Sequence, residues 1–216
     1  MRRNVLVKVV VALAVFTGLG FLFLKTVRDA RAEPYTVPRE HLSNWTIVVT
    51  DTQDSRGAVV ALRPPPALPT NLFQQIFRRS MESLTSPGNP GVPLILASEF
   101  VGAFAGVVSA NDLAVVATEV GLASATIEPV CLVVRRTTGP RETRQAFLLL
   151  VEVPGFDRFR DEAARLLASR GGQSGAFDPA AVSPMIAVAG SDSDFQSRGP
   201  FSADASRECV APVEPA

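Results

Sequence analysis

A run of twenty residues near the start of the chain, from Val5 to Leu24, constrains the rest of the protein most strongly. The run carries a single charge, Lys8, and is otherwise apolar on all sides of a helix. At about 1.5 Å of rise per residue, twenty residues cover the roughly 30 Å of a bilayer's hydrocarbon core. Lys8 lies one turn inside the run, from where its ammonium group can reach the lipid headgroups. The sequence therefore predicts that residues 5–24 form a transmembrane helix and bind the protein to a membrane.

Two fates of this helix are compatible with the sequence. Ala30-Arg31-Ala32 has the small-x-small form of a signal-peptidase site, so residues 1–32 could be a cleaved signal peptide. The apolar run is longer than a usual signal core and the approach to the site is charged, which favours an uncleaved, single-pass membrane anchor. Basic residues flank the run on both sides, so the positive-inside rule does not decide the orientation. A first helix usually inserts with its N-terminus in the cytoplasm, which favours a body that faces the periplasm or the cell exterior.

The chain beyond the anchor is mildly acidic. Six of the 21 basic residues and one of the 21 acidic residues precede Glu33, which leaves 15 basic and 20 acidic residues and a net charge of −5. Nucleic-acid binding depends on a clustered basic face, so no nucleic-acid partner is expected. Lys8 and Lys25 are the only lysines. Because both lysines precede Glu33, the body cannot contain a P-loop, a Schiff-base lysine or an S-x-x-K acyl-transfer site.

The pattern of apolar residues predicts one α+β domain. A linker with two prolines covers residues 33–43, the domain covers 44–190, and a tail without hydrophobic periodicity, expected to be disordered, covers 191–216. Strands are expected at 45–50, 58–62, 93–98, 130–134, 146–153 and 184–189, and helices at 70–84, 109–120 and 156–170. Short turns between consecutive strands predict a mainly antiparallel sheet with about three helices packed on it.

Two cysteines, Cys131 and Cys209, lie far apart in the sequence. Because His41 is the single histidine, one chain cannot build a four-ligand Cys/His zinc site. Outside the cytoplasm the two cysteines can form one disulfide that fastens the tail to a core strand. The alternative is that Cys131 is simply a buried apolar residue.

Acidic residues supply the candidate metal ligands. Asp192 and Asp194 follow the last predicted strand with one residue between them, a spacing at which two carboxylates can share a cation. Glu99 lies within an apolar run, where it either belongs to a helix N-terminus or contributes to that site. No third ligand is identifiable, so a solvated tail is the simpler interpretation. The sequence predicts no catalytic residue and no cofactor.

Other candidates also have a simple structural interpretation. His41 is the one side chain that ordinarily titrates near neutral pH, but it lies in the linker, where positioning is difficult. Arg135, Arg136, Arg141 and Arg144 surround the turn of a predicted hairpin. They could grip an anionic partner or a lipid headgroup, or form a solvated hairpin end.

These features favour one functional hypothesis over two others. The favoured one is a membrane-anchored extracytoplasmic domain that acts as a non-catalytic interaction or envelope-assembly module with a protein partner. The first alternative is a carboxylate-dependent metal-binding module or hydrolase that uses Asp192 and Asp194. The second is a small-ligand-binding domain with an apolar pocket between helices and sheet.

Overall fold

The computed structural model describes residues 15–22, 33–50, 57–80, 82–88, 90–138, 143–173, 175–192 and 202–216. The chain divides into two units, Met1–Glu33 and Pro34–Ala216. In the first unit, residues 15–22 are helical and exposed, while the remainder of the predicted anchor lies outside the described residues. Over the described ranges, the structure has no helix with the length and hydropathy needed to cross a membrane.

The second unit contains eight strands and five helices in its described part, and the predicted α+β class is confirmed. The strands are β1 (Tyr35–Val37), β2 (Thr46–Val49), β3 (Ala58–Arg63), β4 (Val92–Leu96), β5 (Glu128–Thr138), β6 (Thr143–Glu152), β7 (Met185–Gly190) and β8 (Cys209–Pro215). The helices are α1 (Ala67–Ser80), α2 (Ala97–Glu99), α3 (Ala110–Glu119), α4 (Phe156–Ser169) and α5 (Ala205–Glu208). The expected number of about three helices was too low. The extra two, α2 and α5, have one turn each and are too short to show an amphipathic period.

The strands form two sheets. A five-stranded sheet has the order β1-β8-β5-β6-β7, and a three-stranded sheet has the order β2-β3-β4. All pairs are antiparallel except β1 and β8, which run parallel, so the larger sheet is mixed. One cluster of buried side chains joins both sheets to α1, α3 and α4. The strands β5 and β6 extend further than expected, to Thr138 and from Thr143, so most of the predicted turn 135–144 belongs to the hairpin arms.

Two strands lie where the sequence predicted irregular structure. β1 falls in the predicted linker, and β8 falls in the tail predicted to be disordered, which was wrong for residues 209–215. β8 lies between β1 and β5, and a disulfide between Cys131 and Cys209, with Cα atoms 5.6 Å apart, joins it to β5. A strand that is paired on both sides and covalently held can form without a hydrophobic period of its own.

The helix α3 begins as the sequence predicted. The Ser109 hydroxyl accepts a hydrogen bond from the Asp112 N–H at 3.1 Å, and the Asp112 carboxylate accepts one from the Ser109 N–H, also at 3.1 Å. This reciprocal capping box satisfies two N–H groups that a helix start leaves without partners. Gly121 follows the helix with φ of 87°, a left-handed conformation in which glycine carries no Cβ penalty.

The helix α1 begins three residues earlier than expected. It starts at Ala67, and Pro69 occupies its first turn, where the missing N–H has no intrahelical partner to lose. The Thr70 hydroxyl donates to the Pro66 carbonyl at 2.8 Å, so Thr70 is inside the helix and does not cap it. The expected start at residue 70 overlooked that proline is favoured in a first turn.

Candidate functional site

The most complete polar cluster surrounds Arg160, a residue of α4 whose side chain is fully buried. Its two Nη atoms donate to the two carboxylate oxygens of Glu99 at 2.6 and 3.0 Å. The other guanidinium hydrogens donate to the backbone carbonyls of Leu94, Asp178 and Pro179 at 3.1, 2.7 and 2.9 Å. A guanidinium has five N–H donors, and here five acceptors surround them. The cluster is therefore a structural clamp that joins α4, β4 and the segment before β7.

Aromatic rings close one side of this clamp. The guanidinium carbon of Arg160 lies 4.4 Å from the centre of the Phe177 ring. The Phe104 ring meets Phe177 edge-on with ring centres 4.8 Å apart. A buried cation above an aromatic face is stabilised by the ring quadrupole, and the apolar rings shield the guanidinium from water. The cation thus has neither a spare donor nor an open approach for an external anion.

Glu99 has the helix-start role that the sequence left open for it, and its ion-pair partner is Arg160. Besides binding Arg160, its carboxylate accepts a hydrogen bond from the Leu96 N–H at 2.9 Å, at the start of α2. The sequence indicated the helix start, but it gave no sign of Arg160, which is 61 residues away. Glu99 is consequently part of the clamp, and both of its carboxylate oxygens accept hydrogen bonds there.

The predicted carboxylate pair is only partly visible in the structure. Asp192 follows β7 as expected, and its Oδ2 lies 3.4 Å from Nε of Arg144, a residue of β6. Asp194 lies outside the described residues. Within the described ranges, no group of three His, Cys, Asp or Glu side chains could hold a metal ion. Asp192 therefore contacts a cationic side chain of the hairpin, and Glu99 belongs to a different cluster.

Two arginines of the basic cluster at the β5–β6 hairpin make contacts within the domain. Arg135 binds the Glu208 carboxylate at 3.0 Å and also donates to the Ser202 carbonyl. Arg144 contacts Asp192, Arg136 is exposed on β5, and Arg141 lies outside the described residues. These contacts favour the structural interpretation of the cluster.

His41 lies in a single 3-10 turn, Arg39–His41, that leads towards β2. Its Nε2 atom is 4.0 Å from a carboxylate oxygen of Glu40, and its backbone carbonyl accepts a hydrogen bond from the Trp45 indole at 3.1 Å. The indole is buried immediately before β2. The described contacts of His41 therefore help to hold the backbone immediately before β2 in place.

Two open grooves border α3. The groove between α3 and α4 has a volume of about 440 Å³ and a mixed lining that includes the charged residues Arg158, Glu162 and Arg165. The groove between α3 and β2 has a volume of about 390 Å³ and includes Ile47, Ala114 and Val115. Both are open clefts on the outside of the domain, and the second lies between a helix and the smaller sheet.

The edges of the two sheets differ in how they are covered. On β1, the Gln75 side chain donates to the Thr36 carbonyl at 2.7 Å and accepts from the Thr36 N–H at 3.1 Å, in the way that a neighbouring strand would. On β7, Thr85 exchanges two backbone hydrogen bonds with Gly190 at 2.7 and 3.0 Å. On β4, the Leu94 carbonyl accepts from Arg160.

The fourth edge, on β2, has no comparable cover within the described chain. The stretch from Trp45 to Thr50 contains neither a charged residue nor a proline. Natural proteins use charges, prolines, bulges or covering segments to prevent such an edge from pairing with another strand. The side chains of Thr46 and Val49 are exposed, and those of Ile47 and Val48 are partly exposed. The sequence predicted a strand at these residues. Only the order of strands in the sheet shows that this strand lies at an edge.

Comparisons with protein-family models, with curated proteins and with solved structures gave no match for this chain.

Proposed function

We propose that this protein is a membrane-tethered interaction module that acts by binding a protein partner and that its folded unit lies outside the cytoplasm. The uncovered β2 edge carries the proposal, because an unprotected apolar strand beside a groove is the form of a surface to which another strand adds. The charged clusters that a catalytic or metal function would need are engaged in contacts inside the domain. Glu99 forms an ion pair with Arg160, and Asp192 contacts Arg144.

The compartment is argued from two independent features. The apolar run 5–24 has the length and composition of a transmembrane helix. The disulfide Cys131–Cys209 joins two strands of the sheet, and such structural disulfides persist in the periplasm and outside the cell rather than in the reducing cytoplasm. Both features favour a folded unit that is held at the outer side of a membrane.

The tether and its side are tested with the full-length chain in intact cells. After alkaline extraction of membranes, the chain should stay in the pellet and keep residues 5–24. An external protease should digest the folded unit after the outer envelope is opened, while a cytoplasmic marker protein stays intact. Recovery of the unprocessed chain in the soluble fraction would contradict the tether. A folded unit protected until the cytoplasm is opened would contradict the side.

The binding role is tested by an activity screen on the purified full-length chain. A broad panel of hydrolase substrates, with and without added divalent cations, should give no turnover above that of a heat-denatured sample. A reproducible activity that Asp192→Asn abolishes, but Asp157→Asn does not, would replace the binding role by the carboxylate-dependent alternative. Asp157 is the matched control because it is an exposed acid on the first turn of α4.

A further inference from the structure

We propose that β2 pairs antiparallel with β2 of a second copy of this chain and that the groove between β2 and α3 receives apolar side chains of that copy. The proposal rests on the proposed function as an interaction module and names the partner. It follows from the backbone geometry of β2, from the side chains beside it and from the covers found on the other sheet edges.

The backbone of β2 has groups on its outer side that make no hydrogen bond to the residues that the structure describes. The Thr50 N–H donates to the Val59 carbonyl at 2.9 Å, which makes these two residues a hydrogen-bonded pair of the ladder. Such pairs alternate along antiparallel strands, and β2 and β3 pair in unbroken register. The N–H and C=O groups of Ile47 and Val49 therefore point away from β3, towards solvent.

Two copies of this strand are complementary around a two-fold axis. With Ile47 of one copy opposite Val49 of the other, the outward groups form four N–H···O=C hydrogen bonds. The two Val48 residues then face each other across the axis as a non-hydrogen-bonded pair, with Cα atoms about 4.5 Å apart. Because each β2 is the partner of the other, the association closes after two copies and leaves neither β2 edge open.

The side chains beside β2 fit the same arrangement. Ile47 lines the groove next to α3, and Val49 lies on the same face of the strand because side chains alternate with a period of two. Val49 is 39% exposed and Val115, on the outer side of α3, is 55% exposed. A second β2 places its own Ile47 and Val49 on this face, beside Val115. The pairing thus removes from water the apolar side chains that the single copy leaves partly exposed.

The contact between the two strands is small, so the membrane tether is important for pairing. One four-residue strand pair with a groove beside it covers less than the about 800 Å² per partner of a standard stable interface. The pair is therefore a weak, concentration-dependent dimer. Anchoring confines the copies to one surface and raises their effective concentration, which promotes pairing without any further contact.

Cysteine cross-linking tests the register with the full-length chain in membrane vesicles. Val48→Cys should give a covalent dimer under mild oxidation, because its Cα atoms are within disulfide range across the axis. Ala61→Cys is the matched control: Ala61 is the β3 partner of Val48, also half-buried and one strand further from the axis. Its Cα atoms would be about 15 Å apart in the dimer. We expect at least about tenfold more dimer from Val48→Cys.

A charge placed on the edge provides the second test. Val49→Lys, introduced into the Val48→Cys chain, should abolish the covalent dimer while the thermal unfolding midpoint stays unchanged. Val101→Lys in the same background should leave the dimer intact, because Val101 is 64% exposed and lies far along the chain from β2. Equal cross-linking of Val48→Cys and Ala61→Cys, or a monomer with both, would overturn self-pairing. Those results leave the tether and the side of the membrane untouched, whereas a soluble chain would refute the proposed function itself.

Discussion

The guanidinium carbon of Arg79 lies 4.2 Å from the centre of the Tyr35 ring, and the same side chain donates to the Pro34 carbonyl at 3.1 Å. The contact lets α1 hold the chain where the folded unit begins. Burial raises the pKa of the Tyr35 phenol above its ordinary 10.0, while the neighbouring positive charge of Arg79 opposes part of that rise.

This raised pKa predicts a loss of stability in alkaline solution. The folded state favours the neutral phenol, so its contribution is fully present below pH 10.0 and is lost as the pH rises through the folded pKa. Tyr35→Phe should remove this loss, measured as the urea midpoint against pH. Since Tyr35 is the only tyrosine, the tyrosinate absorbance of the folded protein reports its ionisation directly. An absorbance titration at the ordinary pKa, with superimposed stability profiles, would contradict the prediction.

Removing the acid of the clamp should be strongly destabilising. Glu99→Ala leaves the fully buried Arg160 cation without its carboxylate, at a cost of about 3 kcal/mol or more in the free energy of unfolding. Glu119→Ala is the control, because Glu119 is exposed and should cost less than about 0.5 kcal/mol. The double variant Glu99→Leu with Arg160→Met should be more stable than Glu99→Ala. Urea unfolding of the three variants measures these differences, and equal values for Glu99→Ala and Glu119→Ala would refute the clamp.

The disulfide should contribute strongly to stability. It closes a loop with a sequence separation of 78 residues, for which the chain-entropy model gives about 4.5 kcal/mol. The double variant Cys131→Ser with Cys209→Ser should lose an amount of this order, and reduced wild-type protein should match it. Amide hydrogen exchange in 209–215 should accelerate more than exchange in β6. Unchanged unfolding after complete reduction would show that the bridge constrains little.

The Gln75 side chain should protect the outer edge of β1. Gln75→Ala removes two hydrogen bonds to Thr36, with a cost of about 1 kcal/mol per bond at most. The Thr36 amide should also exchange faster with solvent. Gln74→Ala is the control, since Gln74 is the exposed neighbour on the same helix. Identical exchange of the Thr36 amide in both variants would show that the edge is protected in another way.

Local sequence signals predicted the elements that local interactions define. The helix predicted at 109–120 matches α3 to within one residue at each end. The amphipathic period of α4 gave its position to within one residue at the C-terminus, and the apolar runs of β5 and β6 gave the central hairpin. In each case the information lies within a few turns or one hairpin of the chain, where propensity and pattern act together.

The features that the sequence did not predict depend on residues far apart in the chain. β8 contains two prolines in seven residues and becomes a strand only because β1, β5 and the disulfide hold it. Arg160 could not be paired with Glu99 from sequence, because nothing in the helical pattern distinguishes a buried arginine from an exposed one. The open edge of β2 follows from the sheet order, which no single segment encodes.

The parallel pairing of β1 with β8 also bears on how the polypeptide matures. Tyr35 emerges from the ribosome long before its strand partner Val213, and β8 is the one strand that pairs with β1 in the described domain. During synthesis β1 must therefore wait, unpaired, for a strand that is translated much later. Cotranslational folding can complete the β5–β6 hairpin early, but the larger sheet closes late, and an incomplete chain leaves that nascent end available to quality-control proteases and chaperones.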